Sequence, residues 1–200
     1  MITHPRTPAL TLMELLVAIA LLSLVSLGVY SLSTFSQHHT TTASRQAEVQ
    51  NEVSLVLDHM SKHISQAIGN AVSTNPNPPI VVIPVVNPTE IRAFIDTNGN
   101  GQSEAGIDHW TDYRLVSNRV QFCGEQCTTD LNCSSTSTSC YQDINGRACI
   151  TAFTPNYTLG NNYVDVSLTG CWDPAVNCGT LDNPQANMTI RIDLPSVSVH

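Results

Sequence analysis

The segment "TLMELLVAIALLSLVSLGVYSL", Thr11 to Leu32, decides the fold of this chain. Between Leu15 and Ser44 the sequence contains no Asp, Glu, Lys or Arg, and Leu15 to Leu32 consists almost wholly of Leu, Val, Ile and Ala. About 20 apolar residues are enough for a helix that spans a bilayer. The segment therefore predicts a transmembrane helix, and the acid Glu14 in its first turn needs a separate explanation.

Charge and cysteine content limit the function classes. The chain has 8 Lys and Arg against 16 Asp and Glu, so no basic face is available to hold a polyanion and we expect no direct bulk nucleic-acid binding. All seven cysteines follow the apolar segment, which favours disulfides in an oxidising compartment. Arg6 and the terminal amine precede the segment and favour a cytoplasmic N-terminus.

Two general interpretations fit the N-terminal segment. A cleaved secretory signal would use small residues such as Ser26 and Gly28 at its cleavage site, but its apolar region usually spans about 7 to 15 residues. In an uncleaved signal anchor, Thr11 caps the helix and Glu14 returns a hydrogen bond in a T-x-x-E capping box. Capping explains how Glu14 is tolerated, but it does not explain the short polar leader "MITHPRTPA".

A third interpretation comes from a resemblance. The stretch "ALTLMELL", which begins at Ala9, resembles the processing site of type IV prepilins and type II secretion pseudopilins. In that family a hydrophilic leader is removed before a hydrophobic residue, and a glutamate stands at the fifth mature position. The resemblance implies cleavage between Ala9 and Leu10, where the family usually has Gly and Phe. It also implies N-methylation of Leu10 and places Glu14 at the fifth position.

Electrostatics gives Glu14 a role in this third interpretation. A carboxylate in hydrocarbon costs about 3 kcal/mol on insertion scales, so it is retained where it has a partner. The partner would be the freed α-amine of Leu10 in a neighbouring subunit. An opposite charge at about 4 Å contributes about 4 kcal/mol or less and fixes the axial register of two helices. We therefore predict that Glu14 is a docking charge between subunits.

The helix is expected to continue beyond the membrane. Apolar residues recur at spacings of three and four between Glu48 and Val72, which predicts an amphipathic helix. "SQHHTTTAS", from Ser36, leaves open a break between two helices. The apolar stripe is interpreted as core, whereas the polar side chains beside it are interpreted as a solvated face and not as a metal site. Those side chains are His59, Lys62 and His63.

"STNPNPP", from Ser73, ends the helix because proline cannot continue it. The rest of the chain contains candidate strands, and in "MTIRIDL" alternate residues share one face. The candidate strands are Ile80 to Val86, Glu90 to Ile95, Tyr113 to Ser117, Arg119 to Phe122, Tyr163 to Leu168 and Met188 to Leu194. Short strands joined by Gly, Asn and Pro turns predict an antiparallel sheet covered by the amphipathic part of the helix.

The predicted fold is therefore α+β, a long N-terminal helix on an antiparallel β-sheet head with a disulfide-linked loop region, and the pilin resemblance implies the same architecture. We expect a leader at 1–9, a transmembrane or filament-core helix at 10–32, the amphipathic half of the helix at 33–72 and the β-rich head at 73–200.

The stretch "FIDTNGNGQSE" predicts either a calcium loop or a turn. Oxygen-bearing side chains at alternate positions followed by Gly101 are typical of the first half of a calcium-binding loop. The candidate ligands are Asp96, Asn98, Asn100, the carbonyl of Gln102, and Glu104, with Asp108 as a further carboxylate. Asn-Gly pairs are also strong hairpin signals on their own. Calcium is the one cofactor that the sequence indicates.

The cysteines predict disulfides in preference to a zinc site, because no C-x-x-C occurs and histidine is scarce nearby. They are Cys123, Cys127, Cys133, Cys140, Cys149, Cys171 and Cys178. Three pairs from seven cysteines allow 105 connectivities, and we expect the local pairs Cys123–Cys127 and Cys171–Cys178. One thiol is left over, either free and buried or bonded to another subunit. The region from Gly124 to Ala148 is expected to be a long loop that needs such bonds.

No catalytic constellation is present in the sequence, so we expect no enzyme. No serine lies in G-x-S-x-G, and no Gly-rich phosphate loop precedes a helix. Asp108, His109 and Asp112 in "IDHWTDY" suggest an acid-base cluster, but Trp110 and the alternating pattern favour the start of a strand.

Over its whole length the chain resembles W-type minor pilins and J-type minor pseudopilins, through "EVQNEVSLVLDHMSKHISQA", the strand-rich head and "TIRIDLPSV". The resemblance implies a subunit that primes the assembly of a type IV pilus or type II secretion pseudopilus, or that lies at its tip. Its partners would be other subunits, an inner-membrane assembly platform, a prepilin peptidase and, before assembly, membrane lipid. It would reside in a bacterial inner membrane with a periplasmic head, and then in the filament. The rival interpretation is a membrane-tethered extracellular binding domain, adhesin-like and calcium-dependent, that does not polymerise.

Overall fold

The computed structural model describes residues 11–67, 81–84, 88–95, 97–98, 106–126, 140–158 and 161–194. It contains one long helix followed by strands in antiparallel sheets, which confirms the predicted α+β class. The elements are α1 (Leu12–Ile64), β1 (Val81–Val82), β2 (Glu90–Ile95), β3 (His109–Val116), β4 (Arg119–Gln126), β5 (Gln142–Asp143), β6 (Cys149–Asn156), β7 (Tyr163–Cys171) and β8 (Gln185–Asp193). The chain divides into two compact units after Ala43.

The first unit contains the apolar part of α1. Its hydroxyl side chains bond back to the preceding turn, with Ser23 Oγ donating to the Ile19 carbonyl at 2.8 Å and Thr40 Oγ1 donating to the Ser36 carbonyl at 2.8 Å. These bonds satisfy polar groups within the helix itself. The helix passes through residues 36–44 without interruption, so the break that the sequence left open is not found.

The second unit begins with the remaining turns of α1, which pack on the strands. The buried residues of the helix are those of the predicted stripe, Val49, Val53, Val56, Leu57, Met60 and Ile64. The predicted helix end at Val72 is wrong, because α1 ends at Ile64. The amides of Gln66 and Ala67 donate to carbonyls three residues earlier, which tightens the chain into a turn, and Ala67 then forms a bridge with Ile95. Residues 68–72 lie outside the described part.

The strands form two antiparallel sheets. The first has the order β1-β2-β3-β4-β5 and the second the order β6-β7-β8, so neighbours in the chain are neighbours in each sheet. In the first sheet Tyr113 lies opposite both Ile91 and Phe122. Ser117 and Asn118, with φ of 49° and 63°, turn the chain between β3 and β4. Positive φ at both central residues is the backbone of a tight hairpin that follows the twist of its strands.

The strand predictions are confirmed in part. Glu90 to Ile95 has the predicted bounds, whereas four other strands are longer than predicted: β3 begins at His109, β4 continues to Gln126, β7 continues to Cys171 and β8 begins at Gln185. Strand β6 was not predicted, because the register shift between Ile150 and Ala152 interrupts its alternation. The region expected to be one long loop contains the end of β4 and the short strand β5.

Two close contacts fix α1 on the strands of the second unit. A Cβ added at Gly170 in β7 would lie 2.5 Å from Val53 Cγ2, so only glycine allows the helix to approach this closely. Glu52 accepts hydrogen bonds from the amides of Gly146 and Arg147, at 2.6 and 3.1 Å. The helix is thus bonded to the loop that leads into β6.

Candidate functional sites in the two units

The start of α1 carries the capping box that the sequence pattern predicts. The amide and the hydroxyl of Thr11 both donate to Glu14 Oε2 at 3.2 Å, and the amide of Glu14 donates to Thr11 Oγ1 at 3.3 Å. These bonds satisfy amide donors that the first turn of a helix leaves without partners. Ala9 and Leu10, the predicted processing site, lie outside the described residues.

From Leu12 to Phe35, α1 exposes apolar side chains on every side. Every Leu, Ile, Val, Met, Phe and Tyr side chain from Leu12 to Phe35 is between 53% and 76% exposed. Soluble monomers rarely expose apolar patches larger than a few hundred Å². This part of the helix is long and apolar enough to cross a membrane, as the sequence predicted.

At the start of the second unit, α1 contacts the loop between β7 and β8. The Arg45 guanidinium donates to the Asp182 carbonyl at 2.7 Å and lies 5.7 Å from the centre of the Trp172 ring. The loop is held by Asn183, whose side-chain amide donates to three carbonyls, those of Asp173, Val176 and Asn177. One buried amide therefore sets the shape of the loop that α1 contacts.

The disulfides confirm one predicted pair and correct the other. Cys171–Cys178 is present, but the predicted pair Cys123–Cys127 is wrong because Cys123 bonds to Cys140. Strand β4 continues in extended conformation past Cys123 to Gln126, while β5 returns beside β4 and brings the Cα of Cys140 to 5.2 Å from that of Cys123. Among the described cysteines, Cys149 has a free, half-buried thiol. Cys127 and Cys133 lie outside the described residues.

The candidate calcium loop is described only at its edges. Asp96, Asn100, Gln102 and Glu104 lie outside the described residues, and Asn98 is exposed. Asp108 is buried and accepts a hydrogen bond from the amide of Thr97 at 2.9 Å. Its carboxylate therefore links Thr97, just after β2, to the residue that precedes β3. Within the described ranges no three His, Cys, Asp or Glu side chains are placed to hold a metal, and calcium binding stays a prediction.

The three residues considered as an acid-base cluster in "IDHWTDY" do not share one set of partners, because Asp112 has different partners from Asp108 and His109. Asp108 and His109 both contact Thr97, with His109 Nδ1 3.1 Å from Thr97 Oγ1. Asp112 is buried, accepts a hydrogen bond from the Tyr141 hydroxyl and lies 3.6 Å from Arg92 Nε. Burial raises the pKa of Asp112 to about 7, against the lowering effect of the Tyr141 hydrogen bond.

Two further charges belong to this buried group on the first sheet. Glu90 raises the pKa of Asp112 by repulsion, and Arg92 lowers it while also binding Glu90 at 2.5 Å. Asp112 Oδ1 has no hydrogen-bond partner among the described residues. Because the sequence pattern showed only alternation here, it gave no sign of a buried carboxylate pair.

The interpretation of His59 and His63 as a solvated face is wrong, since both rings are half-buried against β3 and β4. The two rings stack 4.6 Å apart, and each lies within 5 Å of the Phe122 ring. His59 Nδ1 is 3.0 Å from the Tyr113 hydroxyl, which donates to the His59 carbonyl at 3.2 Å. Lys62, in contrast, is exposed as predicted. His59 and His63 are four residues apart and each precedes a buried residue, Met60 or Ile64. This spacing is the sequence signal from which their direction toward the sheet could have been predicted.

Burial shifts the pKa values of His59, His63 and Tyr113. It lowers the pKa of His59 and of His63, and the positive charge of Lys62 lowers both further. Asp58 opposes this effect at His59, while His59 and His109 add to it at His63. Burial also raises the pKa of Tyr113 far above its usual range.

The fold and these sites define an α+β protein with an apolar helix of membrane-spanning length near its N-terminus and a disulfide-bonded β head. Comparisons of the chain with protein-family models, with curated proteins and with solved structures give no match.

Proposed function

We propose that this protein is a minor pilin or pseudopilin. In this proposal a prepilin peptidase cuts between Ala9 and Leu10, and the subunit then enters a type IV pilus or a type II secretion pseudopilus, at or near its tip. The observation that carries the proposal is the apolar surface of α1 from Leu12 to Phe35, exposed on all sides, with one acid, Glu14, in its first turn.

A helix that is apolar on every side must be covered by lipid or by other apolar helices. The proposed life of the subunit supplies both environments in turn, the bacterial inner membrane before assembly and the filament core after it. The Leu10 amine of a neighbouring subunit would neutralise Glu14 in the filament and set the axial register. A non-catalytic role is supported by the acidic side chains in the described residues that form hydrogen bonds with arginine, tyrosine and backbone groups.

The second unit supports a periplasmic placement of the head. The Cys123–Cys140 and Cys171–Cys178 bonds require an oxidising compartment such as the periplasm. If the leader is cytoplasmic, the membrane helix would place the head on the periplasmic side. The assembly platform of the inner membrane would then be the first partner of the processed subunit.

One observation favours a second candidate, a membrane-tethered extracellular binding domain that does not polymerise. Glu14 already has hydrogen-bond partners in its own chain, the amide and hydroxyl of Thr11. A capped acid at a helix start is stable without a second subunit. The two candidates therefore differ in whether the charge of Glu14 is needed, or only its hydrogen bonds.

Glu14→Gln separates the two candidates because glutamine also serves in a capping box but carries no charge. Two quantities are measured in the native host. Membrane insertion is measured by extraction of the chain from the membrane fraction. Incorporation is measured by recovery of the chain in sheared surface filaments or, for a filament that stays in the cell envelope, by cross-links between subunits. We expect Glu14→Gln to insert normally and to lose most filament incorporation. The matched control Thr11→Val removes the hydroxyl of the cap and should retain incorporation. Equal incorporation of Glu14→Gln and the native chain would favour the tethered domain.

The N-terminus of the membrane-extracted protein gives an independent test. Mass spectrometry should find Leu10, in methylated form, at the start of the chain. A chain that begins at Met1 would contradict processing and favour an uncleaved anchor. A start near Val29 would instead identify a secreted protein.

A further inference from the structure

Three cysteines meet at one end of the second sheet. Cys149, which has a free thiol, lies directly opposite Cys171 in the β6–β7 pair, and Cys171 is bonded to Cys178. Directly opposed residues of an antiparallel pair point to the same face, with Cα atoms about 4.5 or 5.5 Å apart. Disulfides accept Cα separations of about 4.4–6.8 Å. The backbone register therefore places Cys149 and Cys171 within the range of Cα separations that a disulfide accepts, a range that also includes the 5.8 Å of Cys171–Cys178.

The three sulfur positions differ in their access to solvent. Cys171 is fully buried, whereas Cys149 and Cys178 are half-buried. A thiol from solvent therefore cannot approach Cys171, but the register already places the Cys149 side chain beside it. Attack on a disulfide requires access to one sulfur, and the other sulfur leaves. Cys149 is thus positioned to attack Cys171 with Cys178 as the leaving group.

We infer that Cys149, Cys171 and Cys178 form an internal thiol–disulfide exchange site in which the bond moves from Cys171–Cys178 to Cys149–Cys171. The Cys149 thiolate forms a bond to Cys171 Sγ as the Cys171–Cys178 bond breaks. The electron pair leaves on Cys178 Sγ, which takes up a proton from water, replacing the proton lost by Cys149. One disulfide and one thiol are present before and after, so the step needs no oxidant or reductant.

The exchange changes two parts of the second unit. It links β6 to β7 across the sheet and opens the disulfide of the loop between β7 and β8, whose Asp182 carbonyl accepts a hydrogen bond from Arg45 of α1. It also moves the free thiol from the start of an edge strand to the loop, where it can attack a disulfide of another molecule in the same compartment, forming a mixed disulfide and releasing the other half of that molecule as a thiol. This inference does not rest on filament assembly and holds equally for a tethered domain.

The variant Cys178→Ser tests the geometry in the full chain, purified in detergent and equilibrated with oxidised and reduced glutathione. Non-reducing peptide mapping should recover Cys149 and Cys171 as one cross-linked pair. The matched control Cys171→Ser leaves Cys149 and Cys178, which are not register partners, and both should be alkylated. A folded Cys178→Ser chain with both thiols alkylated would overturn the inference. So would a control that forms Cys149–Cys178 equally well.

The native chain provides a test that does not depend on how the variants fold. After incubation at neutral pH without added thiol and an acid quench, alkylation should label Cys178 in part of the population, and mapping should recover Cys149–Cys171 from the same part. Cys149→Ser should abolish the Cys178 label, because it removes the internal nucleophile. Equal Cys178 labelling in Cys149→Ser, labelling of Cys149 alone in the native chain, or recovery of Cys149 bonded to Cys127 or Cys133 would each overturn the inference.

Discussion

The two parts of α1 are both rich in apolar residues, but they use them in opposite ways. From Leu12 to Phe35 every large apolar side chain is exposed, whereas from Val49 to Ile64 six of them are buried against strands. The first part is apolar on all faces, and the second carries Asp58 and Lys62 on its exposed side. The difference shows that apolar content alone does not determine burial. The arrangement around the helix decides whether it packs on a head or enters lipid.

Introducing a charge should separate the two parts most strongly. Val53→Asp places an unpaired carboxylate in the core and should destabilise the head by about 3–5 kcal/mol, measured by thermal unfolding of the detergent-solubilised chain. Leu24→Asp, in the first part, should leave the unfolding temperature of the head unchanged and oppose membrane insertion by about 3 kcal/mol. An equal loss of head stability in both variants would remove the distinction between the two parts.

Added volume should affect one part only. Gly170→Ala places a methyl group 2.5 Å from Val53 Cγ2, and overpacking of this kind typically costs about 1–3 kcal/mol. Gly28→Ala, for which no atom lies within 4 Å of the new Cβ, is the matched control and should leave head unfolding unchanged. The double variant Gly170→Ala, Val53→Ala should lose less stability than the sum of the losses in the two single variants, because Val53→Ala removes the methyl group that the new Cβ would contact. A neutral Gly170→Ala would mean that the helix does not approach β7 this closely.

Acidification should loosen the end of α1 from the first sheet. The pKa values of His59 and His63 are lowered in the folded chain, so the unfolded chain binds more protons and stability falls as pH decreases through 6.5 and below. Asp58 opposes this at His59, while Lys62 and His109 add to it. In an Asp112→Asn background, which removes the opposite contribution of Asp112, we expect the unfolding temperature to fall by a few degrees between pH 7.5 and 5.5, and His63→Phe to reduce that fall while keeping the ring contact with Phe122. An unchanged pH profile in His63→Phe would contradict this.

Asp112 should give an effect of opposite sign over the same pH range. Its pKa is raised from 3.8 to about 7 in the folded chain, so its contribution is fully present below about pH 4 and is lost as pH rises toward 7. Asp112→Asn removes the proton dependence and should be more stable than the native chain at pH 8, with the difference shrinking at pH 5. If the difference between the two unfolding temperatures does not vary with pH, Asp112 does not titrate in this window.

The parts of the fold that follow from local pattern were predictable from the sequence. The stripe from Val49 to Ile64 has helical spacing, so its burial was predicted correctly. Glu90 to Ile95 lies between turn residues, so its bounds were predicted correctly. The Cys171–Cys178 bond was predictable because only six residues separate the two cysteines. The capping pair of Thr11 and Glu14 was predictable for the same reason, a spacing of three residues.

The features that depend on distant pairing were not predictable. The Cys123–Cys140 bond exists because β5 returns beside β4, and nothing in the spacing of 17 residues favours it over a closer partner. Strand β6 is hidden by its register shift. The direction of the His59 and His63 rings depends on Tyr113 and Phe122, two residues that are 50 or more positions away along the chain.

The hydrogen bond between Glu52 and the amide of Gly146 has a consequence for chemical ageing. Asn145 and Gly146 form the dipeptide that most readily cyclises and converts asparagine to isoaspartate, a reaction in which the glycine nitrogen attacks the side-chain carbonyl. Here that nitrogen donates to Glu52 at 2.6 Å, and the Asn145 side chain is buried, accepting from the Val120 amide at 2.7 Å and donating to the Ala148 carbonyl at 2.7 Å. The contact that attaches α1 to the head therefore also protects Asn145 from this conversion for as long as the head stays folded.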